Sequence, residues 1–149
     1  QMLAAGITVG LGSDGAASNN NVDLFGEMNS AAKLHKVTTL DPTVMDSSTT
    51  LHAATQGGAD CLLAGGSVGS LTPGKKADLI ILDLNQPHLT PLYHLPSHLV
   101  YAARGTDVIH SMINGRFVMQ QRQLLTLDEK AILAQAQALG KTILACRKS

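Results

Sequence analysis

Chemistry concentrates in one stretch, Gly10-Leu11-Gly12-Ser13-Asp14-Gly15-Ala16-Ala17-Ser18-Asn19-Asn20. Asp14 stands among glycines at 10, 12 and 15, which let a backbone turn sharply and approach a ligand, so its carboxylate is presented to a site rather than to bulk water. Three readings compete. Gly10-x-Gly12-x-x-Gly15 matches the dinucleotide fingerprint, but that motif needs a helix starting at the glycines and a second parallel strand ending in an acid. Here Ala-Ala-Ser-Asn-Asn-Asn prolongs the turn, Val37-Thr38-Thr39-Leu40-Asp41-Pro42 follows the next helix, and an acid in the loop would repel pyrophosphate. This reading is set aside. The second makes Asp14 a hard oxygen ligand for a divalent metal, or a base for its water, at the mouth of a β/α barrel. A catalytic zinc needs three or four ligands, and the chain has no His-x-His pair; His35 and His52 fall on predicted helices, and His88, His94, His98 and His110 lie in the later portion. The third makes Asp14 a turn cap. Spacing alone leaves the last two open.

The elements that must position Asp14 flank it. Ile7-Thr8-Val9-Gly10-Leu11 is a short apolar run between glycines, the pattern of a strand buried on both faces in a parallel sheet. Asn21 is the expected cap of a helix from about Val22 to Lys36, with Asp23 and Glu27 early and Lys33 and Lys36 late, as the helix dipole prefers. Its apolar face is Leu24, Phe25, Met28, Ala31, Ala32 and His35, the histidine being read as packing rather than as a ligand. Asp14 therefore ends a strand just before a helix, where α/β folds place chemistry.

Further on, Asp41-Pro42 reads as a helix cap followed by proline, Asp46 as the start of a short helix through Ala54 that stops at Gln56-Gly57-Gly58, and Ala59 to Leu63 as one more helical turn before Gly65-Gly66. The texture changes near Gly66. A turn-rich stretch containing Pro73-Gly74 leads to a buried strand, Leu79 to Leu82, and then to a long loop from Asp83 to about Ser97 that carries Pro87, Pro91, Pro96 and three nearby histidines. Val108 to Ile113, Asn114-Gly115 and Arg116 to Met119 read as a β-hairpin with a type I′ turn. Thr126-Leu127-Asp128-Glu129 has capping-box spacing and opens a helix to about Cys146, with Ile132, Leu133, Ala136, Leu139 and Ile143 facing a partner.

Composition narrows the partners. The 149 residues are 44% apolar, and eleven basic residues balance eleven acidic ones without a run of either sign, which argues against nucleic acid and anionic membranes and for a small-molecule substrate or a protein. No apolar run approaches the roughly 20 residues needed to cross a bilayer. Cys61 and Cys146 read as buried free thiols in a reducing, cytoplasmic setting. Gln1 to Gly6 looks like the last turn of a helix with its start missing, so the chain is expected to be the C-terminal piece of something longer.

The loop from Gly10 to Asn20, the Asp23 to His35 helix, Gly69-Ser70-Leu71 with Lys75-Lys76-Ala77-Asp78-Leu79-Ile80, and Gln86-Pro87-His88-Leu89-Thr90-Pro91 together resemble the C-terminal part of a metal-dependent amidohydrolase. The subgroup most similar is the 5-methylthioadenosine/S-adenosylhomocysteine deaminases, with their triazine hydrolase (chlorohydrolase) relatives. The resemblance implies an α/β architecture: the last strand and helices of a (β/α)8 metal-dependent hydrolase barrel over residues 1–66, a small β-sandwich portion with a proline-rich return loop over 67–125, and a C-terminal helix over 126–149. It implies that Asp14 contacts zinc, the attacking water and the substrate, and shuttles the water's proton to the leaving amine, with Ser18 and Asn19 shaping the substrate side of the loop. The other zinc ligands would precede this segment, so the rest of the parent chain is an expected partner, homo-oligomerisation stays open, and the segment alone should be inactive. The implied activity is deamination of an adenine-type nucleoside. Triazine chlorohydrolase or guanine deaminase is the alternative among enzymes, and a noncatalytic β-rich assembly module the alternative outside them.

Overall fold

The computed structural model describes residues 1–146, so the last three residues of the expected C-terminal segment lie outside the described residues. The helical half is built on α1 (Leu24–Thr39). Its cap is Asp23, not Asn21: the Asp23 side chain accepts the Phe25 N–H at 3.0 Å, whereas the Asn21 N–H is committed to Asn19 Oδ1 at 3.1 Å. A charged cap also suits the helix dipole better than a neutral one. The helix runs past Lys36 to Thr39, where the hydroxyls of Thr38 and Thr39 donate back to carbonyls of Leu34 and His35, and it ends where Leu40 turns left-handed at φ 53°. Met28 and Ala32 bury one face. His35 is exposed rather than packed, its Nδ1 donating to its own helix at Ala31 O.

Asp41 closes a turn on Thr43 instead of starting a helix, and Lys36 Nζ holds that turn by donating to the carbonyls of Val44 and Met45, each at 2.7 Å. Asp46 then caps α2 (Ser47–Ala54) as expected. The glycines after it do not stop a helix. Thr55 ends α2, its hydroxyl turned back to Leu51 O, and α3 (Gln56–Cys61) starts at once.

Gly57 and Gly58 instead permit close approach. A Cβ on Gly57 would stand 2.7 Å from Val9 O, and one on Gly10 would stand 2.8 Å from Gly58 Cα. Residues 7–11 thus lie directly on α3, with the Leu11 N–H donating to Ala53 O at 3.0 Å and Cys61 Sγ donating to Thr8 O. Residues 7–11 join no sheet among the described residues, and Ile7 is 53% exposed, so the expected pairing and burial on both faces are not seen within them. An apolar run records a tendency to be buried; a strand also needs a neighbour about 4.8 Å away on each side. Nor are the cysteines buried, since Cys61 and Cys146 are both exposed.

The sheet half holds β1 (Leu79–Leu82), β2 (Val108–Ile113), β3 (Arg116–Gln120) and β4 (Gln123–Leu124), antiparallel in the order β1-β2-β3-β4. Asn114 and Gly115 both have positive φ, as a type I′ turn requires, and the turn is tied down where Asn114 N–H meets Asp78 Oδ1 and Gly115 N–H meets Ala77 O. This is one sheet, so a second sandwich layer is not seen among the described residues.

The expected long loop is more ordered than its prolines suggest. Pro87–Leu89 makes a 3-10 turn and α4 (Leu95–Tyr101) carries Pro96 in its first turn, where the missing N–H costs nothing. Val100 of α4 is 1% exposed and completes the core of Met28 and Ala32, against which Leu11, Phe25 and Leu51 pack. Asn29 Nδ2 fastens the helices by donating to Tyr101 O at 3.1 Å. Last comes α5 (Glu129–Cys146), capped by Asp128 on the Ala131 N–H rather than by Thr126, with no buried residue.

Candidate functional site

Asp14 lies on an irregular loop between the extended segment 7–11 and α1, and its φ is 58°. A non-glycine residue pays roughly 1–2 kcal/mol to be left-handed, so something must hold it there. The holding is local. Asp14 Oδ1 accepts the Gly15 N–H at 2.7 Å and Oδ2 accepts the Ser18 hydroxyl at 2.6 Å, while the N–H groups of Ser18 and Asn19 both donate to Gly15 O. The Ser18 hydroxyl has one proton and a second acceptor within reach, Gly15 O at 3.2 Å, so it can release Oδ2 by rotating.

The hydrogen bonds from Ser18 and then Gly15 hold the Asp14 carboxyl below the usual carboxylate range, and the group is exposed. It is therefore an anion at neutral pH: a hard oxygen donor and a proton acceptor of modest strength. The flanking glycines matter less than their number suggests. Of the three, only Gly10 is required by a close approach; added Cβ atoms at Gly12 and Gly15 would meet nothing within 4 Å, and Asp14 itself supplies the positive φ.

Asn19 organises the loop from inside. Its Nδ2 donates to Ser13 O at 2.8 Å and to Glu27 Oε1 at 2.9 Å, and its Oδ1 accepts the Asn21 N–H. Asp14, Ser18 and Asn19 thus come together in one turn, as the sequence leads one to expect, and Glu27 joins them from the first turn of α1. In sequence Glu27 reads only as a dipole partner; the amide it meets, eight residues earlier, leaves no periodic signal.

The histidines do not converge on Asp14. His88 Nε2 bonds the buried Asp107 Oδ2 at 3.0 Å, His94 Nδ1 bonds Ser97, and His98 bonds the carbonyls of His94 and Pro91. Burial pushes the Asp107 carboxyl up, but hydrogen bonds from His88 and the Arg104 N–H outweigh it and leave the group below its ordinary value. No three His, Cys, Asp or Glu side chains among the described residues form a group able to hold a metal ion. Asp14 fits a metal site as one donor. This chain's described residues do not complete one.

The model of the Amidohydrolase family matches residues 1–118. The chain belongs to that family. It is 52% identical over 143 residues to a 5-methylthioadenosine/S-adenosylhomocysteine deaminase of Syntrophobacter fumaroxidans, covering 96% of this chain and 33% of the relative. Among solved structures, it superposes with a TM-score of 0.93 on an adenosine deaminase from Xanthomonas campestris with bound zinc, at 40% identity, covering 97% of this chain and 33% of that one. It also superposes with a TM-score of 0.83 on a zinc complex of atrazine chlorohydrolase from Arthrobacter aurescens, at 27% identity, covering 92% of this chain and 30% of that one. Both branches named by the sequence resemblance, the deaminases and the triazine hydrolases, are therefore similar to this chain. The chain spans about a third of the length of the curated relatives it matches.

Proposed function

We propose that this chain is the C-terminal third of a zinc-dependent aminohydrolase that deaminates an adenine-type nucleoside such as S-adenosylhomocysteine or methylthioadenosine. The observation that carries this reading is Asp14, an anionic carboxylate held in a left-handed turn by two donors, on the loop that follows residues 7–11. In this reading residues 7–11 become the eighth strand of a (β/α)8 barrel once a neighbouring strand is supplied, residues 1–66 end the barrel, residues 67–125 contribute one layer of a sandwich, and residues 126–149 close the chain. The exposure of Ile7 at 53% and of Leu71 at 79% supports a covering partner of that kind. The parent enzyme works in the cytoplasm, and the isolated segment is inactive because it offers one metal donor.

Zinc, when bound, would make a water molecule acidic enough to lose a proton near neutral pH. Asp14 accepts that proton at Oδ2 when Ser18 turns its hydroxyl to Gly15 O, and returns it to the departing amine. One C–N bond breaks, one C–O bond forms, and ammonia leaves. Ser18 and Asn19 line the substrate side of the turn. The test is Asp14→Ala and Asp14→Asn in the complete parent chain, assayed by ammonia release from S-adenosylhomocysteine. Loss of a general acid–base group predicts a fall of about 100-fold or more in kcat; near-normal turnover of both variants refutes the assignment.

A second reading, hydrolysis of a chlorinated triazine, is favoured by the superposition on atrazine chlorohydrolase. Chloride release from atrazine by the same preparation, without ammonia release from adenine nucleosides, would select it.

A further inference from the structure

We propose that Glu27 is a positioning residue for Asp14, acting through Asn19, an inference that rests on the proposed role of Asp14. Three observations carry it. Asp14 occupies a backbone conformation that its own turn does not make free, and the loop around it belongs to no helix or strand. Asn19 uses both amide protons, one on Ser13 O at 2.8 Å, immediately before Asp14, and the other on Glu27 Oε1 at 2.9 Å. Glu27 lies on α1 beside Met28, which is 4% exposed in the core. A rigid helix in the core therefore grips, through one amide, the carbonyl that precedes the reacting residue.

The arrangement is directional. Without an acceptor at position 27 the Asn19 amide loses its anchor on α1 and keeps only bonds within the loop, to Ser13 O and the Asn21 N–H, so the Asp14 peptide can relax towards an ordinary φ. The carboxylate would then move relative to anything bound opposite it, and a displacement near 1 Å is enough to cost on the order of 100-fold in rate. A plainer role competes with this one: an acid in the first turn also stabilises α1 through the helix dipole. The two differ in what glutamine does. The Glu27→Gln side chain keeps an oxygen for Asn19 and loses the charge.

The experiment uses the complete parent chain with zinc and compares Glu27→Ala, Glu27→Gln, Asn19→Ala and the Glu27→Ala/Asn19→Ala double variant, with Asp14→Asn as control. Positioning predicts that Glu27→Ala and Asn19→Ala each lower kcat by roughly 10- to 100-fold, with KM changed by less than about threefold in Glu27→Ala, which lies off the substrate side of the turn. Glu27→Gln recovers most of the Glu27→Ala loss, and the double variant falls no further than Asn19→Ala alone, because that substitution already removes the link to Glu27. Additive losses, or failure of Glu27→Gln to recover kcat while its melting temperature matches the parent, overturn the proposal. Should Glu27→Ala fail to fold, Glu27→Gln decides: it keeps the acceptor for Asn19, so positioning predicts kcat close to that of the unmodified enzyme, and a loss of about 10-fold or more at matched melting temperature overturns the proposal. An active Asp14→Asn variant refutes the role of Asp14 itself, whereas an inactive Asp14→Asn beside a fully active Glu27→Ala refutes only the positioning.

Discussion

Removal of the Asp107 carboxylate tests how the return loop is fastened to the sheet. Asp107 is 3% exposed, and its Oδ2 accepts His88 Nε2 at 3.0 Å and the Arg104 N–H at 2.9 Å. In Asp107→Ala the partly exposed His88 ring can find water, but the Arg104 N–H loses its acceptor in a part-buried setting. Hydrogen bonds to charged groups contribute about 1.5–3 kcal/mol each, so with one bond lost outright and one partly replaced, the expected loss is about 3 kcal/mol. Asp107→Asn keeps an oxygen able to accept both donors but loses the charge and puts an amide N–H2 in place of Oδ1; a smaller loss, about 1–2 kcal/mol, is expected. The pH dependence fixes the sign. Because the native carboxyl is held below its ordinary value, its contribution is full above the unfolded carboxylate value near 3.9 and is lost as pH falls through the lower native value. The gap between the unmodified chain and Asp107→Asn should therefore be full above about pH 4 and shrink as pH falls below it. Urea unfolding of the parent chain and both variants, at neutral pH and near pH 3, reads this directly. A loss below about 1 kcal/mol for Asp107→Ala at neutral pH, or a gap to Asp107→Asn that does not shrink in acid, refutes the reasoning.

Two further outcomes follow from the packing. Val100→Ala removes two methyl groups from a side chain that is 1% exposed against Met28 and Ala32, and should cost about 2 kcal/mol by urea unfolding; a cost within experimental error would mean that α4 does not share the core of α1. Gly10→Ala would place a Cβ 2.8 Å from Gly58 Cα, with no flexible side chain to yield, so α3 and residues 7–11 must separate. We expect a loss of about 1–3 kcal/mol in the parent chain together with lower turnover, since Asp14 hangs from that segment, and unchanged stability would count against the close approach.

What the sequence discloses depends on how local each cause is. The Asn114-Gly115 hairpin and the Asp46 cap are legible because a turn type and a capping bond are decided within four residues. Asp14 is legible from its glycine-rich turn, whereas Ser18 and Asn19 enter only through the family resemblance, and their bonds to Asp14 and Ser13 carry no periodic signal of their own. The run at residues 7–11 signals burial but not what it pairs with, because pairing depends on a second segment, and Gly57 and Gly58 pass for breakers because their role is set by Val9 and Gly10, far earlier in the chain. Pro96 looks like loop punctuation, although proline is equally at home in the first turn of a helix, with Leu99 and Val100 following at helical spacing. The histidines cannot be sorted by type: His88 is defined by Asp107, nineteen residues away, and His94 and His98 by contacts on and beside their own helix.

The geometry around Asp14 also bears on which part of the proposed site is ready before the barrel closes. Strand pairing is one way to fix a catalytic loop, and among the described residues it is not the way used here. The loop is fixed on one side by Gly10 against Gly58 and by the Leu11 N–H on Ala53 O, on the other by Asn19 on Glu27, and within by Gly15 and Ser18 on the carboxylate. All of these partners lie in this chain. The left-handed φ at Asp14 is thus accompanied by local bonds from Gly15 and Ser18 and by anchors on α1, α2 and α3. If Asp14 has the role proposed for it, the other ligands would be brought to a carboxylate already held in its turn, and less of the binding energy of metal and substrate would be spent on positioning it.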